Sequence, residues 1–398
     1  MKIIQINCLS TNRSTGRTTS ELHNFLVSKG HDSFVAYGIG KKIRDINFYK
    51  FSNKIDYYIH NILARFFGTQ GFHSKIETKK LIKWIDKIKP DIVHLRNLHS
   101  NYVNIEILFE YLSSKKIPVI ITTHDFWFLT AFCSYPKKDC DISKCDECKY
   151  YKKKPTIFYN PNHIFNAKKR LLMSLDKLVI QANSYYSLSI VKESFLKNHR
   201  TEVVYNWIDL NSFYPEPTDK IFNVDNKPVV LAVWSSLNEK HERFQFFIKI
   251  ANKASHKYNF VIVGRHRFDT HKYPFITFKQ ETNDVALLRK YYSSANVLFN
   301  PSTTDTFGKV VAEAISCGTP CVVFNNQALP ELVGNNECGI AVTPLNEEET
   351  IAAIDRVITN GKNYYVEKCL KRSRELFDMN TNCEKILDMY EKLIKNEK

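Results

Sequence analysis

Short runs of β-branched and aromatic residues alternate with longer helical patterns along most of this chain, and no other feature constrains its fold as strongly. Strands that alternate with helices of this length predict parallel βαβ units. The pattern occurs twice, because a polar stretch at 211–227, containing Pro215 and Pro217, separates a first series of elements from a second. We therefore predict an α/β fold of two doubly wound, Rossmann-like parallel sheets that face a central cleft.

The periodicity also gives approximate bounds for these elements. The first series has strands at 2–7, 33–37, 92–95, 118–122, 177–180 and 203–205, and helices at 20–29, 77–88 and 105–112. The second has strands at 229–233, 260–263, 297–299 and 321–324, helices at 244–254, 283–292 and 309–316, and a helical tail from 350. The predicted domains are 1–205 and 206–379, with a last helix at 380–398 that we expect to cross back to the first domain.

Length and composition narrow the class of protein. A chain of 398 residues with 43% apolar residues fits two globular domains. No window approaches the ~18 uninterrupted apolar residues of a membrane span. The first residues have the pattern of a strand and lack the cleavage site of a signal peptide. We therefore expect a cytoplasmic protein.

The net charge of +16 predicts attraction to anions. Phosphate groups, an anionic membrane surface and nucleic acid all fit that sign, but no recognised nucleic-acid motif accompanies it, so we expect no nucleic-acid partner. The basic residues are dispersed apart from two clusters at 152–154 and 168–170, for which a solvated surface is the alternative.

The most informative segment is 300–320, with the sequence NPSTTDTFGKVVAEAISCGTP. It has the pattern of a strand, a turn, a helix that begins at about Phe307, and a glycine stop. The first N–H groups of such a helix are free to bind an anion. Glu313 lies six residues further on, where it can meet another part of the same ligand. An ordinary crossover with a surface glutamate is the alternative.

This segment resembles the signature of the retaining GT-B glycosyltransferases of the bacterial "group 1" type, in particular the capsule and exopolysaccharide subset. Members usually carry two glutamates separated by seven residues; here the positions hold Asp305 and Glu313. The resemblance implies that Glu313 hydrogen-bonds the donor ribose and that Asp305 contacts the donor sugar. The backbone of Phe307, Gly308, Lys309 and Val310 would contact the sugar and its diphosphate.

Two further segments resemble this family. Residues 206–209 are similar to its Asn-Gly-Ile-Asp segment, with Trp207 in place of glycine. Residues 233–240 resemble the loop after the first strand of the donor domain, which implies that Lys240 pairs with the donor diphosphate as a point charge. The family commonly carries an arginine five residues before that lysine, where Ser235 stands.

In the first domain, His124 follows a buried strand, and a core histidine is the alternative to a functional one. The resemblance places it near the donor sugar, where it would orient reactants while the leaving phosphate accepts the acceptor's proton. Gly16 and Arg17 lie in a loop predicted at 12–17 after the first strand and are candidates for donor binding. Asn97 and His99 follow another strand and are acceptor-side candidates or loop caps.

Four cysteines follow the His124 strand. Cys133, Cys140, Cys145 and Cys148 are separated by six, four and two residues, within a predicted insertion at 133–148. The last spacing is typical of zinc ligands, so we predict a structural zinc, with free thiols or a disulfide as the alternatives. We expect no cofactor for catalysis.

Residues 55–67 form an apolar helical stripe with aromatic members. Two explanations are possible for it: packing in the core, or an amphipathic surface that faces lipid.

The resemblance implies a hexosyltransferase that uses a nucleotide-sugar donor and a glycan or polyprenyl-diphosphate-linked acceptor in the synthesis of capsule, exopolysaccharide or lipopolysaccharide. A peripheral position on the cytoplasmic membrane face would suit that acceptor. A non-catalytic nucleotide-sugar or glycan-binding protein on the same fold is the alternative, because Trp207 and Ser235 depart from the family pattern.

Overall fold

The computed structural model describes residues 1–11, 13–137, 139–148, 150, 158, 160–216, 221–222 and 225–395. They form two compact units, Met1–Val204 with Cys383–Lys398, and Tyr205–Asn382. The first boundary lies one residue before the predicted one, and the chain returns to the first unit three residues after the predicted start of the last segment.

The first unit is built on a sheet of seven strands. They are β1 (Lys2–Leu9), β2 (Asp32–Ile39), β3 (Phe48–Lys50), β4 (Ile92–Leu95), β5 (Val119–Thr122), β6 (Leu178–Ala182) and β7 (Thr201–Val203). Their order is β3-β2-β1-β4-β5-β6-β7, and all neighbours are parallel. β4, β5 and β6 are buried at every position, as expected for central parallel strands covered on both faces.

Six α-helices belong to the described part of the first unit before β7. They are α1 (Arg13–Ser28), α2 (Lys54–Phe67), α3 (Lys75–Ile88), α4 (Ile105–Ser114), α5 (Pro161–Met173) and α6 (Tyr185–Glu193). Four begin at side-chain caps: Asn53, Asn104, Asn160 and Ser184 each accept a hydrogen bond from the backbone N–H three residues on. These caps satisfy amide groups that have no partner within the helix.

The second unit is built on a sheet of six strands. They are β8 (Val229–Ser236), β9 (Asn259–Arg265), β10 (Ile276–Lys279), β11 (Val297–Asn300), β12 (Cys321–Phe324) and β13 (Gly339–Val342). Their order is β10-β9-β8-β11-β12-β13, again with parallel neighbours. The strand order reverses between β8 and β11, and ligands of such sheets bind beyond the carboxyl ends of the strands at this point.

In the described part of the chain, five α-helices follow strands of the second sheet, and two more come after them. They are α7 (Glu242–Ala254), α8 (Val285–Ser294), α9 (Lys309–Ser316), α10 (Leu329–Val333), α11 (Glu347–Asn360), α12 (Lys362–Arg372) and α13 (Met379–Lys395). A π-helical turn at Ser373–Phe377 separates α12 from α13. The helical tail predicted from 350 is therefore interrupted, first at Gly361, which has a φ of 78°, and then at this turn.

The last helix carries the chain from the second unit back to the first. Within the first unit, the hydroxyl of Tyr390 lies 2.7 Å from Nδ1 of His94, whose Nε2 lies 2.6 Å from Oγ1 of Thr122. Lys29 also forms an ion pair with Glu384. These contacts join α13 to β4, to β5 through His94, and to the residue that follows α1.

The predicted fold class is confirmed by the two parallel sheets, but the first helix was placed wrongly. α1 begins at Arg13, seven residues before the predicted start at 20, so Gly16 and Arg17 lie in a helix and not in a loop. Thr18 and Thr19 occupy buried positions of α1 where apolar residues would be expected, which interrupts the helical pattern. Their hydroxyls can be buried because they donate hydrogen bonds to carbonyl groups of the preceding turn. Asn12, which the predicted loop included, lies outside the described residues.

α2 points its apolar side chains away from the unit. Its buried residues are His60 and Ala64, while its exposed large apolar side chains are Ile55, Tyr58, Ile59, Ile62, Phe66 and Phe67. Core packing, one of the two alternatives for this stripe, is therefore wrong. None of the helices in the described part of the chain is both long and apolar enough to cross a membrane.

Candidate active site

The start of α9 forms the centre of the donor-side residues. α9 begins at Lys309, two residues after the predicted start, and Gly308 precedes it with a φ of 90°. The positive φ of Gly308 favours glycine there, and a Cβ would lie 2.5 Å from Cδ2 of Leu329, which would have to move. Phe307 is buried and packs edge-on against Phe377. Lys309 and Val310 are the first two residues of α9, and backbone N–H groups at this position point out of the N-terminal end of a helix.

Glu313 lies inside the second unit. Its carboxylate accepts a hydrogen bond of 2.9 Å from the hydroxyl of Tyr292, and the residue is 5% exposed. Tyr292 is fully buried, and burial followed by the charge of Glu313 raises the pKa of its phenol well above the ordinary value. The surface-glutamate alternative is therefore wrong. A buried carboxylate beside a helix start can meet a ligand hydroxyl without competition from bulk water.

Asp305 lies in the loop between β11 and α9, together with polar groups from neighbouring elements. Burial raises the pKa of its carboxyl group, while hydrogen bonds from Ser302 and Asn300 and the positive charge of Arg243 oppose that rise. Lys240 is exposed in the loop after β8, where its N–H bonds to the side chain of Asn238. Asp305, Glu313 and Lys240 thus all lie in the second unit at the carboxyl ends of β8 and β11 or just after them.

Sequence reasoning missed Arg243, which lies in the first turn of α7. Its Nη2 donates a hydrogen bond of 2.7 Å to Oδ1 of Asn300, and its guanidinium carbon lies 4.2 Å from the ring centre of Trp234. Burial lowers its pKa to about 10, with the charge of Asp305 acting in the opposite direction, so the group is charged at neutral pH. The sequence places Arg243 three residues after Lys240, but this spacing does not distinguish a site residue from an ordinary surface arginine on a helix.

The other candidates lie in the first unit. His124 and Asp125 are buried directly after β5. Asp125 contacts both acceptor-side candidates: its Oδ2 lies 2.6 Å from Nδ1 of His99 and accepts a hydrogen bond of 3.3 Å from Nδ2 of Asn97. Its Oδ1 accepts a hydrogen bond from the N–H of Trp127. The structure therefore brings Asn97 and His99 together through a carboxylate that sequence reasoning did not select.

Gly16 supports a close approach of backbone segments in the first turns of α1. A Cβ there would lie 3.1 Å from the backbone of Thr11 and 3.3 Å from Cβ of Leu9. Arg17 follows it on the same helix. These two residues and His124 belong to the first unit, whereas the remaining donor-side candidates belong to the second.

Lys168 belongs to one of the two basic clusters for which a solvated surface was the alternative, but it is 1% exposed, so that alternative is wrong for this residue. Its Nζ donates hydrogen bonds to the carbonyl groups of Trp127, Thr130 and Ala131 at 2.8–3.1 Å and lies 3.6 Å from the ring centre of Trp127. Lys168 therefore fixes the segment that connects His124 with the cysteine-rich insertion.

The four cysteines of the insertion are half-buried, and none is bonded to another. Burial, followed by the charges of the other three thiols, raises the pKa of Cys145 to about 12. Cys140, Cys145 and Cys148 line one surface depression. Among the residues that the structure describes, however, no three His, Cys, Asp or Glu side chains are arranged to hold a metal ion. The structural zinc therefore stays a prediction from the spacing of the four cysteines.

Comparison with known families follows the division into two units. Residues 15–212 match the family model "Glycosyltransferase Family 4", and residues 227–360 match "Glycosyl transferases group 1". The group 1 match is confined to the second part of the chain, and the two matches together indicate a glycosyltransferase. The two matched segments contain every candidate residue named above.

Two bacterial relatives cover most of the length of this glycosyltransferase. An uncharacterized 41.2 kDa protein in the cps region of Klebsiella pneumoniae is 23% identical over 73% of this chain and 75% of its own. WcaC of Escherichia coli (strain K12), provisionally named a colanic acid biosynthesis glycosyl transferase, is 20% identical over 84% of this chain and 85% of its own.

Solved structures of the same fold extend over nearly the whole chain. Sucrose-phosphate synthase from Thermosynechococcus elongatus has a TM-score of 0.72 at 16% identity, covering 99% of both chains. Alr3699/HepE of Anabaena, solved in complex with UDP-glucose, has a TM-score of 0.66 at 16% identity, covering 98% of this chain and 99% of its own. At these identities the likeness establishes the fold.

Proposed function

We propose that this glycosyltransferase moves a hexose, with retention of anomeric configuration, from a nucleotide-diphosphate sugar to a glycan or polyprenyl-diphosphate-linked acceptor in surface polysaccharide synthesis. The observation that carries the proposal is the placement of Asp305 and Glu313 on either side of the glycine-capped start of α9, beside the reversal of the second sheet. The relative bound to UDP-glucose and the relatives named for the cps region and for colanic acid support the donor class and the setting.

In this proposal the bond between the anomeric carbon and the donor diphosphate breaks, and an acceptor hydroxyl bonds to the same face of the sugar. The hydroxyl proton passes to an oxygen of the leaving phosphate. Lys240 stabilises the charge of that phosphate, and His124 orients the sugar beside it. Asn97 and His99, both held by Asp125, would position the acceptor.

Turnover can be tested without knowing the acceptor. We expect slow release of free sugar when the protein is incubated with a panel of UDP- and GDP-hexoses, with water as the acceptor. NMR of the first-formed product should show the anomeric configuration of the donor. Binding of the nucleotide sugar without any release of sugar would favour the non-catalytic alternative. That alternative was based on Trp207 and Ser235, and Trp207 is fully buried in the core. An inverted product would contradict the retaining mechanism.

We also propose that the outward face of α2 binds an anionic membrane surface. Ile59, Ile62 and Phe66 lie on this face at 46–57% exposure. Lys54 and Arg65 are exposed on the same helix, whereas its acidic residue, Asp56, accepts a hydrogen bond from Ser74. An apolar helix face flanked by cations is typical of helices that lie in the lipid interface.

The membrane proposal predicts co-sedimentation with phosphatidylglycerol vesicles that is weaker with phosphatidylcholine vesicles and falls with salt. The double variant Ile59→Ser/Phe66→Ser should lose most of this binding and keep its thermal stability, because both side chains are exposed. Ile76→Ser provides a matched control, since Ile76 is 71% exposed on α3. Equal binding of the double variant and the wild type would exclude this face as the membrane contact.

A further inference from the structure

Two buried donors at the reversal of the second sheet have no hydrogen-bond acceptor. They are Nε1 of Trp234, at the end of β8, and Nε of Arg243, in the first turn of α7. Buried polar groups in folded proteins nearly always have a partner, and each that lacks one needs an explanation. Because the guanidinium lies against the indole ring, these two donors belong to one local arrangement.

The guanidinium of Arg243 is held in place from three directions. The ring of Trp234 lies beneath it, Asn300 accepts its Nη2, and the carboxylate of Asp305 adds an attractive charge. A purely structural arginine with these neighbours would direct its remaining N–H groups at protein acceptors, yet Nε has none. Arg243 is thus a preorganised planar donor with unused bonding capacity.

The location indicates the chemistry of the missing acceptor. Arg243 lies beside the carboxyl ends of β8 and β11. Lys240, three residues earlier in the chain, is exposed on the loop that leads from β8 to α7. Ser235 and Ser236, which end β8, are uncharged. Planar guanidinium groups bind phosphate oxygens through two parallel N–H bonds, which a single lysine does not provide.

We propose that Arg243, held on the ring of Trp234, binds the diphosphate of the nucleotide-sugar donor together with Lys240. The proposal rests on the proposed function, because it takes its ligand from that function. In this proposal Lys240 is one cation of the donor site, and Arg243 of α7 is the second. The strand before them, β8, ends in two serines and supplies no charge. Trp234 acts as a positioning residue, because it holds the guanidinium and carries no charge itself.

The test compares ligands with and without phosphates. UDP and GDP are titrated by calorimetry, and uridine and guanosine by NMR. Arg243→Gln should weaken binding of the nucleoside diphosphates by about 10- to 150-fold, the loss typical of a hydrogen bond to a charged group. Binding of the nucleosides should not change. Arg356→Gln makes the same substitution at an exposed site on α11 and should leave both affinities at the wild-type value.

A second variant separates binding from folding. Ser235 is exposed near the end of β8, so Ser235→Arg in the Arg243→Gln background supplies a guanidinium from that strand, and it should recover much of the diphosphate affinity. Unchanged UDP and GDP binding in Arg243→Gln would overturn the proposal, as would an equal loss for the nucleosides or no recovery in the double variant. If the wild type releases no sugar and binds none of these ligands, the proposed function itself fails.

Discussion

At the scale of single residues, Glu313 and Lys240 are charged groups in opposite environments. Glu313 is buried and bonded to Tyr292, whereas Lys240 is exposed on a loop. A substitution at Glu313 therefore changes an internal hydrogen bond as well as any ligand contact. A substitution at Lys240 removes a charge from the surface and should leave the fold unaffected.

Glu313→Gln should weaken donor nucleotide binding by about tenfold, because a neutral amide replaces a carboxylate as the acceptor for a ligand hydroxyl. Tyr292→Phe keeps the carboxylate and removes the phenol that holds it, so its loss should be smaller. Calorimetry with UDP and GDP measures both. Unchanged affinity in Glu313→Gln would remove this residue from the binding site.

Lys240→Ala should lower the rate of sugar transfer or release by on the order of 10²-fold, because one charge on the leaving diphosphate is lost. Lys240→Arg should not restore the rate, since a planar fork differs from a point charge. Lys249→Ala, at an exposed position further along α7, is the control and should behave as wild type. A wild-type rate in Lys240→Ala would place the phosphate elsewhere.

The limits of sequence reasoning are clearest at Lys168 and Arg243. Both are basic residues in stretches of polar sequence, and both are held by aromatic rings and by oxygen atoms from other parts of the chain. Asp305 and Glu313 could be selected in advance because their spacing around a glycine-started helix is a local property. The partners of Lys168 and Arg243 depend on tertiary contacts, which one sequence does not encode in its local pattern.

At the scale of elements, α2 is held to the first unit by a neutral histidine. His60 is fully buried, its Nε2 accepts a hydrogen bond from the N–H of Gly71, and its Nδ1 lies 2.7 Å from Oγ of Ser74. Burial, followed by the charge of His73, lowers the pKa of His60 to about 3. The helix can thus expose its apolar face because polar bonds on its inner side hold it.

His60 should make the folded state sensitive to mild acid. Its folded pKa is depressed, so the unfolded chain binds more protons between pH 6.5 and about 3, and the stability present above pH 6.5 is lost as the pH falls. Between pH 7 and pH 5 the loss should be about 2 kcal/mol. Urea unfolding at both pH values measures it, and His60→Gln should show a smaller pH dependence. An equal pH dependence in the variant would contradict a neutral, buried His60.

The cysteine-rich insertion has four thiols whose zinc binding can be measured directly. If its four thiols share a zinc ion, purified protein should contain about one equivalent by elemental analysis. Chelation should then loosen the insertion and lower activity, because the segment begins nine residues after His124. Metal-free protein with four titratable thiols would instead agree with the arrangement described here.

At the scale of the whole molecule, the order of strands and helices predicted the two parallel sheets, because each central strand is a short apolar run between longer helical patterns. Three of the four edge strands, β3, β10 and β13, were missed, and the reason is physical for β3. β3 is three residues long and half-buried at every position, so it has no apolar run to recognise. α1 was shortened because buried threonines replace the apolar residues that usually mark a helix face.

The return of α13 to the first unit has a consequence for how the protein is made. The second unit is one continuous segment, Tyr205–Asn382, whereas the first is completed by residues that the ribosome adds only after that segment. During synthesis the second unit can close as soon as it emerges, while the first still lacks Tyr390, the partner of His94. The first unit is thus translated first but completed last, because its fold requires α13, which leaves the ribosome exit tunnel after the second unit.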